Sequence, residues 1–336
     1  MIYVRPIPVS DPAVPEGALP LAGGWCHFAH VEMLERGRPS AVVPVSELTA
    51  AQRALLTDPR PDFAGLGMAT PRIMGILNVT PDSFSDGGLF LRPEAALMAA
   101  RQMAAHADLL DIGGESTRPG AVEVSAEEEI ARTAPVIAAM KAAGIARPIS
   151  IDTRKASVAQ AALAAGAAVV NDVTALTFDP SMAGTVAGAA APVILMHSIA
   201  DPQTMQDDPR YDDVLLDVYD ALAARVSQAE AAGIPRARIA IDPGIGFGKT
   251  LDHNLALLAR LSLFHSLGLP ILLGASRKRF IGTLSGEDEA ARRMPGSLAV
   301  ALQGVAQGAQ MIRVHDVKET RQALSLWQAA TKGRNP

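Results

Sequence analysis

A single cysteine in 336 residues excludes an internal disulfide, so this chain must be held together by burial, and the cytoplasm is the expected compartment. No apolar run reaches the roughly 18 residues that a membrane-spanning helix needs. The start of the chain is broken by Pro6, Pro8, Pro12 and Pro15, which excludes the uninterrupted apolar stretch of a signal peptide. Excess positive charge is missing as well: 30 Lys and Arg stand against 35 Asp and Glu, for a net charge of −5. A nucleic-acid binder neutralises phosphates with a basic face, so this balance argues against one. What is present is 49% hydrophobic residues, in a chain long enough for one large domain or two smaller ones.

Two compositions divide the chain. Residues 1 to 70 are Pro-rich with few long apolar runs, and read as an N-terminal extension with one short helix, Ser46 to Leu56, capped by Ser46. From residue 71 to 336, apolar strands alternate with Ala- and Leu-rich helices. The strands are expected at Ile73–Leu77, Leu109–Ile112, Ile149–Ile151, Ala168–Val170, Pro192–Met196, Ile239–Ile241, Ile271–Leu273 and Met311–Val314. They are apolar on both faces, as parallel strands under helices must be. The intervening helices are expected at Pro93–Ala107, Ala126–Ala143, Lys155–Ala165, Asp179–Ala189, Asp212–Ala232, Asp252–Leu267 and Gly296–Gln307, with Val317–Ala330 after the last strand. This pattern predicts an α/β fold of the (β/α)₈ TIM-barrel type. A doubly wound open sheet is the main rival, but it would gather its ligand residues at one switch point.

Here polar residues follow nearly every strand. Strand one ends at Asn78 and opens a loop with Asp82, Phe84 and Asp86; strand two runs into Asp111-Ile-Gly-Gly-Glu-Ser-Thr-Arg-Pro-Gly120. Strands three to five deliver Asp152, Asn171 and Met196-His197. Strand six delivers Asp242-Pro-Gly-Ile-Gly-Phe-Gly-Lys249, and the last two deliver Ser276-Arg277-Lys278 and Arg313-Val-His315-Asp316. Asp152, Asn171 and Asp242 suit a flat ligand edge rich in N–H donors, because ionised carboxylates only accept hydrogen bonds. Lys278, Arg313 and His315 follow the strands after which barrels often bind phosphate. Asn78 could lend a neutral oxygen to a Mg²⁺ that keeps waters and takes diphosphate oxygens. The pocket so described has a heterocycle end and a diphosphate end.

The segments Ile73–Gly88, Asp111–Gly120, Asp242–Lys249, Gly274–Phe280 and Arg313–Asp316, in this order and on matching strands, closely resemble the dihydropteroate synthase family. The resemblance covers about Arg72 to Gln328. It implies condensation of 6-hydroxymethyl-7,8-dihydropterin diphosphate with p-aminobenzoate, giving 7,8-dihydropteroate and diphosphate with Mg²⁺ as cofactor. It puts Asp152, Asn171 and Asp242 on the pterin, with Lys278 nearby and Met196 and Phe247 framing the ring. It puts Asn78, Arg313 and His315 on diphosphate and Mg²⁺. Phe84, Asp86, Ser116, Thr117 and Arg118 would form the p-aminobenzoate pocket, Asp86 also serving the developing cation.

The resemblance further implies a homodimer and small-molecule substrates, with neither nucleic acid nor membrane as partner. The loop Pro81-Asp-Ser-Phe-Ser-Asp86 carries no insertion of the kind seen in sulfonamide-insensitive relatives, so sensitivity to sulfonamides is expected. Two rivals stand: a pterin-dependent methyltransferase, which needs no diphosphate site, and a non-catalytic pterin-binding paralogue, which needs no second-substrate loop. His197 reads either as a ligand residue or as a hydrogen-bonded core histidine. Cys26, His27 and His30 lack the paired spacing of a zinc site and read as packing. The extension has no counterpart in the family pattern, and its role stays open.

Overall fold

A computed structural model describes residues 1–80, 93–116, 123–199 and 209–332. The first 60 residues build a small β unit: β1 (Ile2–Pro6), β2 (Leu19–Pro20), β3 (His27–Phe28), β4 (His30–Glu35) and β5 (Ala41–Pro44), followed by α1 (Ala50–Thr57). β1, β4 and β5 form an antiparallel sheet in that order. Leu21, Ala22, Cys26, Phe28, Val31, Val45, Leu48 and Leu56 make its own apolar cluster. Helix α1 starts later than the sequence suggested, and its cap is Thr49, not Ser46. Thr49-Ala-Ala-Gln52 closes a capping box, in which the threonine hydroxyl accepts from the Gln52 amide while the Gln52 side chain accepts from the Thr49 amide. Ser46 lies in a short 3₁₀ turn.

The larger part contains β6 (Arg72–Asn78), α2 (Pro93–Ala104), β7 (Leu109–Gly113), α3 (Ala126–Ala142), β8 (Ile149–Asp152), α4 (Ala156–Ala164), β9 (Val169–Asp172) and α5 (Met182–Gly188). It continues with β10 (Val193–Met196), α6 (Val214–Ala231), β11 (Ile239–Asp242), α7 (Leu251–Ala259), β12 (Leu272–Leu273), α8 (Arg279–Ser285), α9 (Met294–Ala306), β13 (Met311–Val314) and α10 (Val317–Lys332). Eight parallel strands run in the order β11-β10-β9-β8-β7-β6-β13-β12, and a parallel bridge from Ile241 to Ile271 joins the two ends into a barrel. One long helix from Asp252 to Leu267 does not form. Helix α7 stops before Arg260, whose φ of −126° and ψ of 30° leave the helical region, and a 3₁₀ run, Leu261–Leu267, follows. The extra α8 lies between β12 and α9. No described helix is long and apolar enough to cross a membrane.

Strand alternation explains how continuous apolar runs produce a polar site. Ile73, Leu110, Ile112, Ile149, Ile151, Val170, Val193, Leu195, Ile239, Ile241, Leu273 and Ile312 belong to the main core, which includes the helices' buried faces. The alternate positions Met74, Leu109, Val169, Ile194, Ala240, Leu272 and Met311 form a separate cluster with Phe63 and Met68, which plugs the barrel floor. Two or four residues further along the same parity come Asn78, Asp111, Asn171, Met196, Asp242 and Arg313, and Asp152 stands two beyond the buried Ser150 of β8. The barrel interior is therefore graded, with an oily floor below a layer of charges and amides.

Candidate active site

The polar layer is tied together by Arg313. Its Nε donates to Asp111 Oδ2 at 2.6 Å and its Nη2 to Asp152 Oδ2 at 2.6 Å, while Asn171 Nδ2 donates to Asp111 Oδ2 at 3.2 Å. Asp111 and Asp152 are both buried, and Asp111 Oδ1 and Asp152 Oδ1 have no hydrogen-bond partner. A buried acceptor without a donor costs about 1–3 kcal/mol, so both oxygens hold acceptor capacity that the protein itself leaves unused. Burial pushes the Asp152 carboxyl up to about 7, and Arg313 beside it works against that push.

A second group forms where β11 meets the loop after β12. Burial raises the Asp242 pKa and pushes the Lys278 ammonium down to about 7, and each group's charge opposes the shift of the other. Lys278 donates to the Ile245 carbonyl, and its Nζ stands 4.2 Å from the Phe247 ring centroid, a cation–π distance. The turn carrying Phe247 begins at Asp242, whose Oδ1 accepts from the Gly244 amide at 2.7 Å. Gly244 has φ of +68°, and a Cβ there would lie 1.9 Å from the His197 carbonyl oxygen, so a side chain is excluded twice over.

Lys249, seven residues after Asp242, folds back under this turn. Its Nζ lies 3.0 Å from His197 Nδ1 and donates to the Phe247 carbonyl at 2.9 Å. Burial, reinforced by the nearby Lys278 charge, pushes Lys249 down to about 7. Burial likewise pushes His197 down to about 3, the state of a neutral, hydrogen-bonded ring. His197 thus has the burial and the hydrogen-bonding neighbour that a core histidine has. Lys249 received no role from sequence alone, because only the return of the chain after Gly248 brings it beneath Phe247.

The loops after β12 and β13 are strapped to each other. Ser276 Oγ accepts from the His315 amide at 3.2 Å and lies 3.0 Å from His315 Nδ1, while Arg277 makes a two-pronged pair with Asp316. Arg277 sits at φ of +58°, the left-handed region that a long side chain enters only when its surroundings fix it there. Asn78 closes β6 in register with Gly113, and a Cβ built on Gly113 would lie 3.3 Å from Asn78 Oδ1.

Nine of the expected site residues thus meet at the C-terminal ends of the strands: Asn78, Asp152, Asn171, Met196, Asp242, Phe247, Lys278, Arg313 and His315. Ser116 follows β7 and is exposed. Phe84, Asp86, Thr117 and Arg118 lie outside the described residues. Two of the Arg313 nitrogens engage the Asp111 and Asp152 carboxylates. Asp111 is a partner of Arg313 and Asn171. Cys26 is buried and its thiol is pushed up to about 12 by burial, while His27 is half-buried and His30 is exposed. A hollow of about 630 Å³ between α4 and α5 opens at the other end of the barrel, and its lining, including Gln160 and Thr185, holds no ionisable side chain.

Fold and site together define a TIM-barrel enzyme whose chemistry is built at the C-terminal ends of the strands. Residues 74–315 match the family model of pterin binding enzymes. The dihydropteroate synthase of Neisseria meningitidis serogroup B is 48% identical over 270 residues, which cover 79% of this chain and 94% of that protein. That of Escherichia coli K12 is 45% identical over 270 residues, covering 80% and 95%. The structure of Xanthomonas albilineans dihydropteroate synthase with 4-aminobenzoic acid superposes with a TM-score of 0.76 at 49% identity, covering 82% of this chain and 98% of that one. A structure of the same enzyme with 7,8-dihydropteroate gives 0.73 at 46%, covering 81% and 98%. The chain belongs to the pterin binding enzyme family and, within it, to the dihydropteroate synthases.

Proposed function

We propose that this protein joins (7,8-dihydropterin-6-yl)methyl diphosphate to p-aminobenzoate, forming 7,8-dihydropteroate and diphosphate in folate biosynthesis. The observation that carries the reading is the buried layer in which the unpartnered oxygens of Asp111 and Asp152 lie in one barrel mouth with Asn171, Asp242 and Lys278. A pterin edge offers ring N–H and amino donors to such acceptors. Lys278 over Phe247 and Met196 at the end of β10 would bound the ring.

The reaction breaks the bond between the exocyclic methylene carbon and a diphosphate oxygen, and forms a bond from that carbon to the arylamine nitrogen. An arylamine is neutral near pH 7, so its lone pair attacks without a strong base, and the proton it then sheds passes to solvent or diphosphate. The protein's work is to orient both partners and to stabilise separating charge. His315 and Arg313, two residues apart at the end of β13, serve the negative charge of the departing group. Asp86 serves the positive charge on the pterin side, and Phe84, Ser116, Thr117 and Arg118 receive p-aminobenzoate.

Asn78 presents a single neutral oxygen, and among the described residues no three His, Cys, Asp or Glu side chains are grouped to hold a metal. That donor set fits a hard cation that keeps waters and takes substrate oxygens, as Mg²⁺ does. When bound, Mg²⁺ would neutralise diphosphate charge. The protein acts as a cytoplasmic homodimer in this reading, with the Ala- and Gly-rich α9 allowing close helix packing, and sulfonamides compete for the p-aminobenzoate pocket.

The test is diphosphate release by purified protein given the pterin diphosphate and Mg²⁺. Release that requires p-aminobenzoate and yields dihydropteroate supports the reading. Tight pterin binding without turnover would sink it.

A further inference from the structure

The barrel has one weak seam. Among the described residues every other neighbouring strand pair shares a ladder of between two and five paired residues, whereas β11 and β12 are paired only by the bridge from Ile241 to Ile271. The chain reaches β12 through the 3₁₀ run Leu261–Leu267, whose i→i+3 bonds are poorer than those of an α-helix. Yet this seam has Asp242 at the end of one strand and Lys278 in the loop after the other.

Residues 1–60 grip that crossover. Pro6 O accepts from Ser262 Oγ at 2.8 Å, and Arg5 Nε donates to Ser262 Oγ at 3.2 Å. The buried Arg60 donates from Nη2 to the His265 carbonyl at 2.9 Å and to Leu55 O at 2.8 Å. Leu55 Cδ2 lies 3.0 Å from where a Cβ would stand on Gly268, the turn that enters β12. Leu21 Cδ2 lies 2.9 Å from the corresponding point on Gly308, the turn that leads to β13, where φ is +87°. Trp25 Nε1 donates to Val305 O at 2.9 Å at the end of α9. Thus the extension touches the entries to both strands on one side of the barrel. It lies outside the stretch matched by the family model, which begins at residue 74.

We propose that residues 1–60 are a clasp that holds β12 against β11 and so fixes the spacing between Asp242 and Lys278. Arg60, Leu55 and Leu21 are its positioning residues, acting through the turns at Gly268 and Gly308. For its effect on substrate the clasp rests on the function proposed above, but its effect on the seam does not.

The experiment is amide hydrogen exchange on the full chain, without substrate, in Arg60→Ala and Leu55→Ala, with Arg36→Ala as control. Arg36 belongs to the same extension but pairs with Asp217 and Asp220 at an exposed site on α6. Leu55 is 41% exposed, so its truncation leaves a folded protein even where Arg60→Ala does not. Exchange in Ile239–Asp242 and Leu272–Leu273 is expected to rise on the order of tenfold in the clasp variants, with β7 and β8 unchanged, because local opening is confined to a low-stability unit. In the same variants KM for the pterin diphosphate should rise several-fold while KM for p-aminobenzoate holds. Unchanged exchange at the seam, or an equal rise across β7, β8, β11 and β12, overturns the clasp. A wild type without turnover would count against the proposed function alone, since the exchange result stands by itself.

Discussion

Arg313 bridges two carboxylates, reaching Asp111 Oδ2 with Nε and Asp152 Oδ2 with Nη2, each at 2.6 Å. Three charges that would each be costly alone are placed in one barrel interior because they compensate one another. Arg313→Met would leave two buried carboxylates without their cation and should destabilise the fold by about 3–5 kcal/mol. Adding Asp111→Asn should recover part of that loss, since one uncompensated charge is removed. Urea unfolding of the two single variants and the double variant decides it: strictly additive losses would mean that the pair is not coupled.

Lys278→Ala should lower kcat/KM for the pterin diphosphate by on the order of a hundredfold, the usual effect of removing one charged stabiliser from an active site. The variant also removes a neighbouring charge that depresses Lys249, so the Lys249 pKa should rise. Steady-state kinetics with each substrate varied in turn is the check. An unchanged efficiency would take Lys278 out of the site.

Most of the barrel was legible because its strands are short apolar runs and its helices are Ala-rich, two patterns that do not imitate each other. The polar layer was legible for the same reason, since Asn78, Asp152, Asn171 and Asp242 stand where apolar runs stop. Their mutual arrangement was not. That Asp111 meets Arg313, 202 residues later, depends on β7 and β13 facing the same interior on either side of β6. Lys249 was hidden in a glycine-rich motif, and its burial appears only once the chain has turned back at Gly248. The extension's strands were missed because Pro-rich text of low apolar periodicity reads as loop, and β1 and β4 are fixed by pairing between distant segments, Ile2 with Glu35. The break at Arg260 has no proline or glycine to announce it.

Stability should fall in mild acid through two histidines. His197 and His265 are each pushed down to about 3 by burial, against about 6.5 in the unfolded chain. Between those values the unfolded state binds more protons, so stability declines as pH drops from about 6.5 toward 3, by up to ~1.4 kcal/mol per pH unit for each ring. Urea midpoints measured from pH 7 to pH 4 should show that slope reduced in His265→Gln. Parallel curves for variant and wild type would refute the assignment to His265.

Lys249 makes the opposite end of the pH scale informative. Its folded pKa is pushed down to about 7, while an unfolded lysine titrates near 10.4, so between those values the unfolded state again holds more protons. The stability that neutral Lys249 allows is full above about pH 10.4 and is lost as pH falls toward 7, by up to ~1.4 kcal/mol per pH unit. Lys249→Met fills similar volume, cannot titrate, and gives up the hydrogen bonds to Phe247 O and His197 Nδ1. At pH 10 the wild type should therefore be clearly the more stable of the two, and the gap should narrow on approach to pH 7. Urea unfolding at pH 7, 8.5 and 10 reads the gap directly. A gap independent of pH would mean that Lys249 keeps its proton in the fold, and the ammonium would then have to be solvated or paired by a group other than His197.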